Sequence, residues 1–303
     1  MSEIEHQTVP VNGIRLHCAR RGAGPLVLFL HGFPEYWEAW KDQLEWFGAR
    51  GRLAAAPDLR GYNLSDKPAD VAAYRMRHLV EDVRQLAAAL TRERFVLVGH
   101  DWGGGVAWAF ANAHPEALSH LVIVNSPHPY TFWRELTTSP AQQAASAYML
   151  LLRDAKAERV LSEDGYRRLW SLAFGGGWDA GGGDAGVTRR RADLDRARYL
   201  EAWSKPGALT GALAWYRASP LYPPSQQDPG AGRLTLRPED FTIRVRTLVL
   251  WGERDAALLP GCLDGIEACV PDVLVKRVQD ASHWIVHEQP DLVNAEIERF
   301  IAR

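Results

Sequence analysis

A carboxylate at the head of a helix is the group in this chain best placed to do chemistry. In Gly99-His100-Asp101-Trp102-Gly103-Gly104 an aspartate follows the apolar run Phe95-Val96-Leu97-Val98 and precedes a helical stretch. A strand that turns sharply into a helix lifts the side chain at the turn above the sheet, and it needs small residues two positions to either side. Gly99 and Gly103 meet that need. An aspartate serving only as a helix cap would leave both glycines without a reason. With an ordinary pKa of about 3.9, the carboxylate is ionised at neutral pH and can attack without a base to activate it. It suits a saturated, electrophilic carbon such as that of an epoxide or an alkyl halide. The product of such an attack is an ester of Asp101.

Hydrolysing that ester does require a base and an oxyanion hole, and the sequence offers both. His283 follows the last predicted strand and precedes the last helix; Asp255 ends the strand before it. Nucleophile, acid and histidine thus come in the chain order that strand–elbow–helix hydrolases use. Glu253 is a rival to Asp255 as the acid. His31-Gly32-Phe33-Pro34 directly follows a predicted strand, so the Phe33 backbone N–H pairs with that of Trp102 as the expected oxyanion donors.

The elements that must hold these residues are legible in the hydrophobic pattern. Leu26-Val27-Leu28-Phe29-Leu30 is a continuous apolar run, as expected of a strand buried on both faces. Trp37, Trp40, Leu44 and Phe47 recur at helical spacing, and 52–57 reads as another short strand. Met76, Leu79, Val80, Val83, Leu86, Ala87 and Leu90 mark one face of a helix. After strand 95–98 and a helix, Leu121-Val122-Ile123-Val124 is the next strand. Alternation of this kind predicts a doubly wound, mostly parallel α/β sheet. It stops after Asn125-Ser126-Pro127 and resumes at Thr247-Leu248-Val249-Leu250-Trp251, followed by Val273-Leu274-Val275 and a closing helix through Phe300. The expected organisation is a first core part at 1–127, a helical cap at 128–238 and a second core part at 239–303. The runs Gly175-Gly176-Gly177 and Gly181-Gly182-Gly183 lack the Gly-Lys-Ser/Thr of a phosphate cradle and read as loop.

Bulk properties narrow the partners. The 303 residues carry 35 Lys and Arg against 37 Asp and Glu, a balance that argues against nucleic acid or an anionic membrane as the main partner. Arg189-Arg190-Arg191 is the one basic run, and Asp193 and Asp195 follow it, as at a solvated helix start. No apolar stretch approaches the roughly 18 residues of a membrane helix. Cys18, Cys262 and Cys269 cannot form a disulfide framework, and with a polar N-terminus they point to a cytoplasmic protein. No ligand cluster with metal spacing occurs, so neither metal nor organic cofactor is expected.

Taken together, His31-Gly32-Phe33-Pro34-Glu35, the stretch Asp58 to Lys67, the elbow around Asp101, and Asp255 with His283 resemble the epoxide hydrolases of the α/β-hydrolase superfamily. The likeness spans essentially the whole chain. It implies ring opening by Asp101, hydrolysis of the ester by His283 steadied by Asp255, and release of a vicinal diol. That family protonates the epoxide oxygen with two cap tyrosines, and the resemblance assigns them to Tyr148 and Tyr216, the latter in Ala214-Trp215-Tyr216-Arg217. A phenol of pKa about 10 keeps its proton at neutral pH and can donate it to a developing alkoxide. The segment after Tyr148 departs from the family: it is leucine-rich and ends in Arg153. The partners implied are a small apolar epoxide and water, for a monomer or homodimer, with Phe33, Trp37 and Trp102 lining the pocket.

Two other readings compete. Haloalkane and haloacid dehalogenases use the same aspartate, but a second halide donor such as asparagine is absent at position 33, and positions 102 and 105 are Trp and Gly where a carboxylate clamp would need arginine. A non-catalytic binding protein on a hydrolase fold is the reading from another class. Such proteins commonly lose a triad member, and here none is missing.

Overall fold

The computed structural model describes residues 3–174 and 196–302. The glycine runs at 175–183 and the triplet Arg189-Arg190-Arg191 lie outside the described residues. Eight strands form one sheet: β1 (Glu5–Val11), β2 (Ile14–Arg21), β3 (Leu26–Leu30), β4 (Leu53–Pro57), β5 (Phe95–His100), β6 (Leu118–Val124), β7 (Thr247–Gly252) and β8 (Val273–Val278). Their spatial order is β1-β2-β4-β3-β5-β6-β7-β8. From β4 to β8 every pairing is parallel, while β1 and β2 add an antiparallel hairpin at one edge.

That hairpin is absent from the sequence reading, which begins the sheet at Leu26. Its turn is Asn12-Gly13, both at positive φ (45° and 77°), the backbone that a two-residue hairpin requires. The dipeptide was the available signal. β1 faces solvent along most of its length and buries little beyond Val9 and Val11, so its apolar alternation is weak.

The central strands are apolar because both faces are covered: every residue of β3 and β5 is buried. Helices α1 (Lys41–Gly48), α2 (Met76–Leu90) and α3 (Trp102–Ala113) alternate with the parallel strands β3 to β6 along the chain. Helix α2 turns Leu79, Val80, Val83, Leu86 and Ala87 inward at helical spacing. Burying each leucine or valine side chain there contributes about 1.5–3 kcal/mol.

Between β6 and β7 the described residues contain no strand. They form α4 (Pro129–Thr138), α5 (Pro140–Ala145), α6 (Tyr148–Arg153), α7 (Ala157–Phe174, broken at 163–166), α8 (Arg196–Ser204) and α9 (Ala208–Ala218). Proline at the first position of α4 and α5 starts each helix where no N–H is needed, and Ser139 caps α5 through its hydroxyl. The short α10 (Ile285–Glu288) and α11 (Pro290–Ile301) close the chain, with α11 packed on α1. No helix among the described residues is long and apolar enough to cross a membrane.

Candidate active site

The turn from β5 into α3 is as tight as the two-glycine spacing requires. Asp101 sits at φ 50°, ψ −121°, outside the comfortable regions for a residue with a side chain. Holding it there costs on the order of 1–3 kcal/mol, which the surrounding structure must offset. The surroundings are close-fitting: a Cβ on Gly103 would lie 2.2 Å from the Leu30 carbonyl oxygen, and one on Gly99 would lie 2.4 Å from that of Gly103. The Ser126 hydroxyl donates to the Asp101 carbonyl at 2.7 Å. The Phe33 N–H donates to Asp101 Oδ1 at 2.8 Å. Trp102, the other expected donor, is the first residue of α3, so its N–H has no carbonyl partner within the helix.

The other Asp101 oxygen faces a histidine. His283 Nε2 lies 3.7 Å from Oδ2, and its Nδ1 lies 2.7 Å from Asp255 Oδ2. Asp255 is fully enclosed: the N–H groups of Ala257 and Leu258 each donate to its Oδ1 at 2.9 Å, and Asn125 Nδ2 donates to Oδ2 at 2.8 Å. Burial alone would raise its pKa, but the His283 charge and these hydrogen bonds hold it below its ordinary value. An ionised Asp255 fixes the proton of His283 on Nδ1 and aims Nε2 at Asp101. Burial works to lower the His283 pKa; the charge and hydrogen bond of Asp255, then Asp101 and Glu35, outweigh it and raise the pKa to about 9. Glu253, the rival acid, pairs instead with Arg277 at 3.1 Å.

Tyr148 opens α6, and Tyr216 stands near the end of α9. Their ring centres are 6.4 Å apart, and the Tyr216 ring lies edge-on to Trp102 at 5.1 Å and to Phe33 at 5.2 Å. Burial, reinforced by the negative charge of Asp101, pushes both phenols well above their ordinary pKa. Both tyrosines, with Asp101 and Trp102, border a cavity of about 390 Å³ whose remaining wall is mainly apolar, including Phe132, Met149 and Leu258. That is the size and character of a small-molecule site.

Trp37 is not brought to this cavity. Its ring packs against His6, His17 and Tyr36, and its backbone N–H donates to the buried Asp58 at 3.0 Å. The aromatic character that suggested a lining role serves packing at the β1–β2 edge. The Phe33 side chain likewise does not border the cavity: it is buried against Tyr216, while its backbone N–H reaches Asp101.

One cluster went unread in the sequence. Glu35 lies buried between His287, whose Nε2 bonds Oε1, and His100, whose Nδ1 lies 3.4 Å from Oε2. His100 Nε2 donates to the His283 carbonyl at 2.9 Å, and the Tyr199 hydroxyl donates to Glu35 at 3.3 Å. Burial would raise the Glu35 pKa, yet the two histidines bring it far below the carboxylate range. Glu35 stood in a recognised motif, but its partner His287 is 252 positions away, and nothing in the local pattern links them. Among the described residues, no group of three or more histidine, cysteine or acidic side chains is arranged to hold a metal ion.

Residues 25–148 match the α/β hydrolase fold family. The chain is 36% identical to the AB hydrolase superfamily protein YfhM of Bacillus subtilis, over 99% of each chain. It is 33% identical to epoxide hydrolase 2 of Caenorhabditis elegans, over 98% of this chain and 79% of that one. Among solved structures, a Bacillus megaterium epoxide hydrolase in complex with an inhibitor superposes with a TM-score of 0.85, at 35% identity, covering 98% of this chain and 100% of the other. An eight-stranded α/β sheet, a carboxylate at its elbow and this degree of likeness along the whole length lead to one assignment: the chain belongs to the epoxide hydrolases of the α/β-hydrolase superfamily.

Proposed function

We propose that the protein converts an apolar epoxide to a vicinal diol in two half-reactions at Asp101, beneath a helical cap formed by residues 128–238. In the first, Asp101 Oδ2 forms a bond to an epoxide carbon while the carbon–oxygen bond of the ring breaks. Tyr148 or Tyr216 protonates the oxygen that leaves. Their place beside Asp101 on one cavity supports this role, and each phenol holds its proton until an alkoxide demands it. In the second half-reaction His283 Nε2 takes a proton from water, and the resulting hydroxide adds to the ester carbonyl of Asp101. Asp255 stabilises the imidazolium that forms. Collapse breaks the acyl–oxygen bond, the diol departs with the proton that His283 returns, and the second proton of the water, left on the Asp101 carboxyl, replaces the one the phenol gave up.

The observation that carries this reading is the 2.8 Å hydrogen bond from the Phe33 N–H to Asp101 Oδ1. A carboxylate acting as a general base has no use for an oxyanion donor on its own oxygen. A carboxylate that becomes an ester does, because negative charge then develops on Oδ1 when water attacks. The test is His283→Gln mixed with styrene oxide and examined by intact mass. The ester on Asp101 should accumulate, located by peptide mapping, with no diol released after the first turnover. A variant that stays unmodified while still binding the epoxide would refute the two-step route.

A further inference from the structure

The two phenols ride on different helices, and their separation matters because both are to address one epoxide oxygen. Tyr148 begins α6; Arg153 ends it. The Arg153 side chain crosses to the C-terminal end of α9, where the guanidinium donates to the carbonyl of Tyr216 itself and, at 2.9 Å, to that of Ser219. The guanidinium also lies over the Tyr222 ring, 3.6 Å from its centre. Carbonyls at a helix end have no intrahelical partner, and a cation there meets the negative end of the helix dipole. The contact is reciprocated: Arg217 of α9 makes two bonds, 2.5 and 2.7 Å, to Glu158 at the start of α7 and one of 2.9 Å to the carbonyl of Asp154. The ends of α6 and α9 are therefore cross-braced, within one helical turn of Tyr216 and five residues from Tyr148.

We propose that Arg153 is a positioning residue for ring opening: by clamping the Tyr216 end of α9 to the end of α6, it sets the spacing of the Tyr148 and Tyr216 phenols. This rests on the reading that those phenols protonate the epoxide oxygen. Arginine suits the task because its Nη1 donates to both carbonyls while the guanidinium plane stacks on Tyr222; a lysine ammonium can supply the charge but has no plane to stack. The hydrolytic step does not use the phenols, so Arg153 acts on one half-reaction only. Displacements near 1 Å in reacting geometry cost roughly 10²-fold, which bounds the effect.

Single-turnover kinetics that resolve ester formation from ester hydrolysis test this in Arg153→Met, Tyr148→Phe, Tyr216→Phe and the Arg153→Met/Tyr148→Phe double variant. In Arg153→Met, ester formation should fall about 10- to 100-fold while hydrolysis of the ester keeps the wild-type rate. In the Tyr148→Phe background the same change should cost less, because only one phenol remains to be placed. Equal losses in both steps, or costs that simply multiply, would overturn the proposal. If Arg153→Met fails to fold by circular dichroism, Arg153→Lys decides: a selective loss of ester formation supports the clamp, and wild-type ring opening overturns it. Wild-type ring opening by both single phenylalanine variants and by the Tyr148→Phe/Tyr216→Phe double variant would instead remove the proton-donor reading, and the clamp with it. Loss in those variants alongside an unaffected Arg153→Met would overturn the clamp alone.

Discussion

Replacing Asp101 by asparagine removes one negative charge from the neighbourhood of His283 and leaves its shape in place. The distance from Nε2 to Oδ2 is 3.7 Å, at which a unit-charge pair is worth about 4 kcal/mol for an effective dielectric near 20. The two side chains are 12% and 13% exposed, so water screens part of that attraction. Opposite charges at such range typically move a pKa by about 1–3 pH units. His283, raised to about 9 with Asp101 charged, should therefore titrate lower in Asp101→Asn, toward the neutral range. The sign follows from charge: an anion stabilises imidazolium, and its removal releases the proton at lower pH. Histidine NMR titration checks this, with His283→Gln identifying the resonance among the ten histidines. Formation of the Asp101 ester abolishes the same charge. Alkylation thus turns His283 from an imidazolium into a base at the moment a base is required, and the pH profile of ester hydrolysis should report the lower value. A titration that stays near 9 in Asp101→Asn would mean that Asp255 alone governs His283 and that the proposed switch does not exist.

Two further outcomes follow from the geometry. Tyr148→Phe together with Tyr216→Phe should slow ring opening by about 10²–10⁴-fold, more than either change alone, when ester formation is followed by rapid quench; near-normal turnover would exclude both phenols. Glu35→Gln should destabilise the fold by about 3–5 kcal/mol in urea unfolding, because it leaves His287 buried without its counter-charge. The pH dependence has a definite form. The depressed Glu35 contributes stability above its ordinary 4.5 and loses it as pH falls through its folded value. The raised His287 contributes stability below its ordinary 6.5 and loses it as pH rises through its folded value. The gap between wild type and variant should be widest between those ordinary values and should narrow in alkali; a gap independent of pH would show that Glu35 is not ionised in the fold.

Much of this protein is local information. A buried parallel strand must be apolar throughout, so Leu26–Leu30 and Thr247–Gly252 announce themselves without their neighbours. The elbow is equally local: Gly99, Asp101 and Gly103 lie within five consecutive residues, and the close approach of α3 to β3 permits no larger side chain at Gly103. The placement of Asp101, Phe33, Asp255 and His283 could be read for the same reason, since each lies in the segment that follows a strand. The β1–β2 hairpin was harder, because an edge strand with one wet face has little apolar pattern to show. Contacts between distant segments were beyond the sequence. Its composition favoured Trp37 as a pocket residue equally with Trp102, and only packing sent one ring to the β1–β2 edge and the other to the cavity. The burial of Glu35 between His100 and His287, and the reach of Arg153 to the carbonyls of α9, depend on where helices cross. Charges such as these reveal their role only when tertiary structure takes them out of water and fixes their partners, whereas strand and elbow positions are constrained by their own backbone.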